Sequence, residues 1–226
     1  MTRSKKKPFS WSYTSLTTFE QCPQKYKFKL DKVPGAPPGA ALERGIKIHK
    51  AAEDYLNGTK SKLSADLISL ATEFKKLKAL KPIVEGNLAF DRKWRMTEYF
   101  GNNAWLRVKM DVRLYMEETD CLRIIDVKSG RPSPYPDQER IYIASGFAAE
   151  PAVTNASIEF WYTDHGVILP QKPILIRRVI AAQNLQREFT MRANRIEKAT
   201  VFPARVNSKC SWCDWSKKKG GPCKKG

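Results

Sequence analysis

Ile124-Ile125-Asp126-Val127-Lys128-Ser129-Gly130 is the stretch on which the reading of this chain turns. Side chains alternate between the two faces of a strand, so Asp126 and Lys128 share one face at the end of an apolar run. A second acid, Asp111, lies upstream in Val108-Lys109-Met110-Asp111-Val112. There Val108, Met110, Val112 and Leu114 form an apolar face, with Arg107, Lys109, Asp111 and Arg113 opposite. If the two strands adjoin, the aspartates can converge on one cation, because neighbouring carboxylates repel unless a cation or proton lies between them. A carboxylate beside an ammonium, with a second acid nearby, suits holding a divalent metal and activating a water, as phosphodiester hydrolysis requires. Alone, D-x-K is a weak signal, since an exposed ion pair at a strand end contributes little.

Working outward, Leu88, Phe90, Arg92, Trp94 and Met96 alternate with polar partners and predict a strand. Leu122 to Lys128 is a third strand, giving an antiparallel meander with its turn at Asn102-Asn103. Upstream, a helix is expected from Ser10 to about Leu30, ending or bending near Cys22-Pro23. Pro34 to Gly39 reads as a break. Leu42, Ile46, His49, Ala52, Tyr55 and Leu56 mark one face of a helix over 41–56 that Asn57-Gly58 ends. Another helix is expected over 65–80. Downstream come a helix over 137–149 with Gln138 and Tyr142 one turn apart, a strand over 153–162, and a long helix over 181–198. Helix, three strands, helix, strand, helix describes a mixed α/β layered domain. A basic arm (1–9) precedes one domain (10–226) that includes the cysteine-rich segment 206–226.

The chain has 226 residues and a formal net charge of +18, from 41 Lys+Arg against 23 Asp+Glu. The cations are spread through the interior as well as the tails (Lys5-Lys6-Lys7, Lys217-Lys218-Lys219), which points to a polyanionic partner. No segment is apolar and long enough to span a bilayer, and no apolar stretch follows the basic start, so a cytoplasmic location is expected. There cysteines serve as metal ligands or free thiols rather than disulfides. The chain lacks the P-loop, nucleophile-elbow and H-E-x-x-H motifs, which argues against an NTPase motor, a serine hydrolase and a zincin.

Cys210-Ser211-Trp212-Cys213 is a C-x2-C pair, and Cys223 follows ten residues on. A tetrahedral site then lacks one ligand, for which Cys22 and Cys121 are the candidates. Cys121, at a strand start, reads as a small buried residue. Four thiolates suit zinc or an iron–sulfur cluster, and spacing does not decide between them. Trp212 and Trp215 read as shielding or core. His49 is one of two histidines; from position alone, a packed side chain is its commoner role.

These residues in this order resemble the RecB-like branch of the PD-(D/E)XK nuclease superfamily. The resemblance is carried by Cys22-Pro23, Gly45-x3-His49 with Glu53 and Tyr55, Asp111, Ile125-Asp126-x-Lys128-Ser129-Gly130, Gln138-x3-Tyr142 and the closing cysteines. It spans about Ser10 to Cys223. It is similar above all to the iron–sulfur members: CRISPR adaptation nucleases, their stand-alone phage relatives and the nuclease domain of AddB. The resemblance implies a restriction-endonuclease-like core, a mixed sheet flanked by helices. It implies that His49, Asp111, Asp126 and the main-chain carbonyl of Val127 bind Mg²⁺ or Mn²⁺, that Lys128 serves the attacking water, and that Gln138 and Tyr142 line the DNA-facing side. It also implies a [4Fe–4S] cluster on Cys22, Cys210, Cys213 and Cys223, joining the two ends of the domain. Two departures stand out. Asp126 occupies a position where many members carry Glu, and the Cys213–Cys223 gap is long, which keeps Zn²⁺ open. Glu85, ahead of the first expected strand, is a candidate accessory acid and is not assigned.

The expected activity is a Mg²⁺- or Mn²⁺-dependent exonuclease on single-stranded or end-frayed DNA, in degradation, repair, recombination or spacer processing. It would work alone or with recombination or CRISPR adaptation proteins. The rivals are a non-catalytic nucleic-acid-binding protein with a structural four-cysteine site, which the intact Asp111, Asp126 and Lys128 disfavour, and a restriction-type endonuclease.

Overall fold

A computed structural model describes residues 8–37 and 39–225. Most of the expected basic arm (1–9), including Lys5-Lys6-Lys7, lies outside the described residues. The chain divides into two compact units. One is built on 40–189, the other on 11–39 and 190–226.

The first unit carries a six-stranded mixed sheet in the order β1-β2-β3-β4-β5, with β6 also pairing β4. The strands are β1 (Ile83–Phe90), β2 (Leu106–Met116), β3 (Cys121–Lys128), β4 (Asn155–Tyr162), β5 (Val167–Leu169) and β6 (Ile176–Arg177). β1, β2 and β3 form the expected antiparallel meander. β3 and β4 run parallel, joined through a helix as parallel neighbours require. Among the described residues, the helices are α3 (Ala40–Leu56), α4 (Ala71–Ala79) and α5 (Pro136–Ala149) in this unit, α1 (Tyr13–Gln21) and α2 (Pro23–Leu30) in the second, and α6 (Arg178–Glu197), which runs from one into the other. The mixed sheet flanked by helices is the architecture expected from the sequence.

Both sheet faces are covered. On one, Ile48, Ala52 and Leu56 of α3 and Phe74 and Leu77 of α4 pack with Val112, Leu114, Ile125, Val127 and Trp161. The helix lies where expected, but its buried face differs: Leu42 and Ile46 of the expected face are exposed, and Ile48 is buried with Ala52 and Leu56 at the helical spacing i, i+4, i+8. On the other, α5 approaches β3 so closely that a Cβ on Gly146 would lie 2.7 Å from Leu122 Cδ2 and 3.2 Å from Ile124 Cδ1. Glycine here brings the helix that carries Gln138 and Tyr142 down onto the strand that carries Asp126. α5 starts with Pro136 in its first turn and Asp137 and Glu139 beside it, where a missing N–H costs nothing and acids favour the helix dipole.

Two expectations of element bounds change. The single helix over 65–80 is a 3₁₀ turn, Ala65–Leu70, followed by α4; its three-residue period puts both Leu67 and Leu70 in the core. The first strand starts at Ile83 and ends at Phe90, before Arg92, Trp94 and Met96. The Asp91 carboxylate accepts the N–H of Lys93 (2.8 Å) and Arg95 (3.0 Å), a local turn that competes with strand pairing. β5 and β6, of three and two residues, are too short to leave a periodic signal. The opening helix ends at the extended Cys22, where expected, and α2 starts at Pro23. Among the described residues, no helix is long and apolar enough to cross a membrane.

Candidate active site

The site forms where β2 and β3 part. Their ladder runs from Met116↔Cys121 to Val112↔Ile125 and stops there. In place of the next rung, Asp111 Oδ2 accepts the Val127 N–H at 2.8 Å. The two aspartates face each other across this break, as the alternation of both strands predicts.

Asp126 is 2% exposed. Its Oδ1 accepts Gln138 Nε2–H at 2.9 Å and lies 3.0 Å from the Tyr142 hydroxyl. That hydroxyl accepts a second Gln138 N–H (3.0 Å) and also lies 3.0 Å from the Lys109 carbonyl oxygen, so one proton serves two acceptors. Lys128 Nζ stands 2.7 Å from Asp126 Oδ2 and donates to Gln138 Oε1 at 2.9 Å. The rings of Tyr135 and Phe160 lie 4.7 Å and 5.6 Å from that ammonium. Among the described residues, the buried Asp126 Oδ2 is thus held by the Lys128 ammonium alone. A carboxylate oxygen carries more than one lone pair, so pairing with Lys128 still leaves acceptor capacity on it.

Burial first, then the charge of Asp111, pushes the Asp126 carboxyl up to about 6, against the pull of Lys128 and His49. Burial likewise holds the Tyr142 phenol well above its ordinary value. His49 on α3 places Nδ1 3.0 Å from Asp111 Oδ2, and this bond raises the imidazole above its usual range. Val127 is fully buried in the core and its N–H is spent on Asp111.

Beyond Lys128 the chain turns at Gly130, whose φ of +82° is open to glycine. The Gly130 N–H donates to Asp164 Oδ2 (2.8 Å), which Arg44 of α3 also grips at 2.6 Å. A Cβ on Gly45 would sit 3.6 Å from Ser129 Oγ, so the Gly45-x3-His49 turn of α3 lies against the end of β3.

One residue left unassigned by the sequence belongs here. Glu85 lies within β1, not ahead of it, and its carboxylate, the His49 imidazole and the Asp111 carboxylate bring three ligand atoms within 4.8 Å of one another. No local pattern in Ile83-Val84-Glu85-Gly86 could have found it; only the strand register does.

The cysteines lie in the second unit. Cys22, between α1 and α2, and Cys210, Cys213 and Cys223 line one cavity with Phe28 and Trp215. Backbone N–H groups approach two sulfurs, Arg205 at 3.5 Å from Cys22 Sγ and Asn207 at 3.4 Å from Cys210 Sγ. Trp215 is buried, its Nε1–H donating to the Val33 carbonyl (3.0 Å), while Trp212 is exposed. Cys121 stands apart, buried in β3 against Ser157.

A family profile for the PD-(D/E)XK nuclease superfamily matches residues 10–217. The chain belongs to the PD-(D/E)XK nuclease superfamily. A crystal structure from Eubacterium rectale, of a protein provisionally named an exonuclease, is 14% identical, with a TM-score of 0.53, covering 94% of this chain and 93% of that one. At that identity the likeness is one of fold. The structure of SSO0001 overlaps at a TM-score of 0.43 and 12% identity, over 95% and 86% of the two chains. No curated protein matches the chain. At the level of the superfamily, the protein is a nuclease of the hydrolase class that works with divalent metal. The donors present fit that requirement: carboxylates and an imidazole whose ligand atoms lie close together, and two facing acids whose repulsion a cation relieves.

Proposed function

We propose that the protein is a Mg²⁺- or Mn²⁺-dependent deoxyribonuclease, an exonuclease on single-stranded or end-frayed DNA. The observation that supports it most is the hydrogen-bonded group of Asp126, Lys128, Gln138 and Tyr142 at the parting of β2 and β3, with Asp111 facing it from the Val127 N–H. Asp111, Asp126, His49 and the Val127 carbonyl would hold the metal. When bound, it would polarise the phosphate and lower the pKa of a water. Lys128 orients that water and stabilises the negative charge that builds on the phosphate oxygens. Gln138 and Tyr142 keep the Asp126 carboxylate aimed; Gln138 also anchors the Lys128 ammonium. The net charge of +18 draws the substrate backbone in through its phosphates, without sequence readout.

We infer that Cys22, Cys210, Cys213 and Cys223 bind a [4Fe–4S] cluster, or Zn²⁺ in its place, as a structural clamp. Their shared cavity and the N–H groups directed at two of the sulfurs support this, since hydrogen bonds to thiolate ligands are part of cluster binding. Residues 10–226 then act as one nuclease body.

Degradation of end-labelled single-stranded DNA with Mg²⁺, with Mn²⁺ and with EDTA tests the activity, and a circular single strand separates exonuclease from endonuclease. Asp126→Ala and Lys128→Ala should abolish cleavage while DNA binding persists. Full activity of either variant with Mn²⁺ sinks the assignment. Binding without cleavage by the unaltered protein would favour the non-catalytic reading.

A further inference from the structure

Lys128 ends β3, and residues 129–135 lead on to α5 with prolines at 132, 134 and 136. Proline fixes its own φ and disfavours helix in the residue before it, so the sequence biases Arg131, Ser133 and Tyr135 away from helix until α5 starts. Tyr162, the last residue of β4 and the partner of Lys128 across the parallel ladder, clamps this stiffened run. Its hydroxyl donates to the Ser133 carbonyl at 2.5 Å and accepts the Ser133 N–H at 3.2 Å.

The consequence is at Tyr135, whose ring returns over the end of β3. Its centroid lies 4.7 Å from Lys128 Nζ. Phe160, level with Asp126 across β3 and β4, lies 5.6 Å from the same ammonium and 5.6 Å from the Tyr135 ring. Lysine has a long stem with much rotamer freedom to lose. Asp126 Oδ2 at 2.7 Å and Gln138 Oε1 at 2.9 Å occupy two of its three N–H donors. An aromatic face attracts the cation as a whole, so it fixes the ammonium without taking the third donor as another oxygen would. The Lys128 side chain is 18% exposed, and cation–π attraction is strongest away from water.

We propose that Tyr135 is a positioning residue: the face of its ring, backed by Phe160, holds the Lys128 ammonium where it meets the attacking water, and the proline-stiffened loop with its Tyr162 clamp fixes the ring. This rests on the role given to Lys128 above. Tyr135 acts through Lys128, so it governs the rate of cleavage and leaves DNA affinity alone. A ring that merely filled space would matter by its size; a ring that holds a cation matters by the charge on its face.

Single-turnover cleavage of end-labelled single-stranded DNA by variants at 135 separates the two. Tyr135→Leu should slow cleavage about tenfold to thirtyfold, the scale of one desolvated cation–π contact. Its DNA affinity and circular dichroism should match wild type. Tyr135→Phe, which keeps the ring face, should stay within about twofold of wild type. Phenylalanines carrying one, two and three fluorines, placed at 135 by codon suppression, weaken the face stepwise at nearly constant size, and the rate should fall stepwise with them. A second readout needs no turnover. In metal-free protein with isotope-labelled lysine, the ring current of Tyr135 should shift the Lys128 ε-methylene resonance, identified as the one missing in Lys128→Arg, and Tyr135→Leu should return it to the range of the other lysines. A flat fluorine series, or full activity of Tyr135→Leu beside an inactive Lys128→Ala, overturns the proposal. So does a Lys128 resonance that Tyr135→Leu leaves unmoved. Full activity of Lys128→Ala, or no cleavage by the unaltered protein, defeats instead the reading on which the proposal rests.

Discussion

Asp126→Asn should make the metal-free protein more stable while destroying its activity. Burial and the facing Asp111 hold the Asp126 carboxyl at about 6 against an ordinary 3.8. At neutral pH that gap of about two units, at 1.36 kcal/mol each, corresponds to roughly 3 kcal/mol against the folded, ionised form. The isosteric amide removes the charge and keeps an oxygen for Gln138 Nε2. Lys128 loses its carboxylate partner at 2.7 Å and keeps only Gln138 Oε1 at 2.9 Å, which takes back about 1–2 kcal/mol of that gain. The net expectation is a gain of about 1–2 kcal/mol at pH 7–8, or about 2–8 °C in Tm for a chain of this size. The sign is fixed by the direction of the shift. A carboxyl whose folded value is raised penalises the folded state only where it is ionised. The penalty is therefore complete above about 6 and vanishes below 3.8. The advantage of the variant should shrink steadily as the pH falls toward 4. Saturating Mn²⁺ should reverse the order. A ligand at a hundred times its dissociation constant adds about 2.7 kcal/mol to a protein that binds it, and the variant forfeits much of that. Scanning calorimetry with EDTA and with Mn²⁺, at several pH values, reads all of this from two proteins. A variant less stable than wild type at pH 7 without metal, or one that still cleaves DNA, would refute the reasoning.

Tyr142→Phe removes the hydroxyl shared by Asp126, Gln138 and the Lys109 carbonyl. It should lower kcat about tenfold, with a stability cost of about 1–2 kcal/mol, measured by single-turnover cleavage and by denaturant titration. Arg123→Met leaves the buried Glu159 carboxylate without its two-pronged partner (2.8 Å on each arm) and with only Trp161 Nε1–H. This should cost about 3–5 kcal/mol; a loss under about 1 kcal/mol in urea unfolding would show the pair to be dispensable. Protein prepared without oxygen should be brown with absorbance near ~400 nm if the cysteines hold an iron–sulfur cluster, and Cys22→Ser or Cys210→Ser should bleach it. A colourless preparation that contains zinc by elemental analysis retires the cluster and leaves the nuclease assignment untouched.

Helix α3 was legible because apolar residues recur every three to four positions, as Ala52 and Leu56 do; its face was set one residue off at the start, where Ile48 is buried and Leu42 and Ile46 are exposed. The pair Asp126 and Lys128 was legible because a strand has a period of two. Both are local regularities. The 3₁₀ turn at Ala65–Leu70 was missed because Leu67 and Leu70 satisfy a helical pattern as well as a 3₁₀ one. Strand β1 was misplaced because the apolar spacing runs on past Phe90, while the Asp91 carboxylate captures the backbone and turns it.

What the residues by themselves determined is the chemistry on offer: a D-x-K strand end, a second aspartate, a histidine on a helix, a C-x2-C pair and an excess of cations. What only the tertiary structure decided is which of these meet. Asp111 faces Asp126 because the ladder stops one rung short and gives the Val127 N–H to a side chain. Glu85 joins His49 and Asp111 because the antiparallel register between β1 and β2 sets it level with Asp111, far along the chain. Short-range spacing is carried by backbone geometry within one element. Register between elements is set by the summed packing of both sheet faces, and no single stretch of sequence contains it.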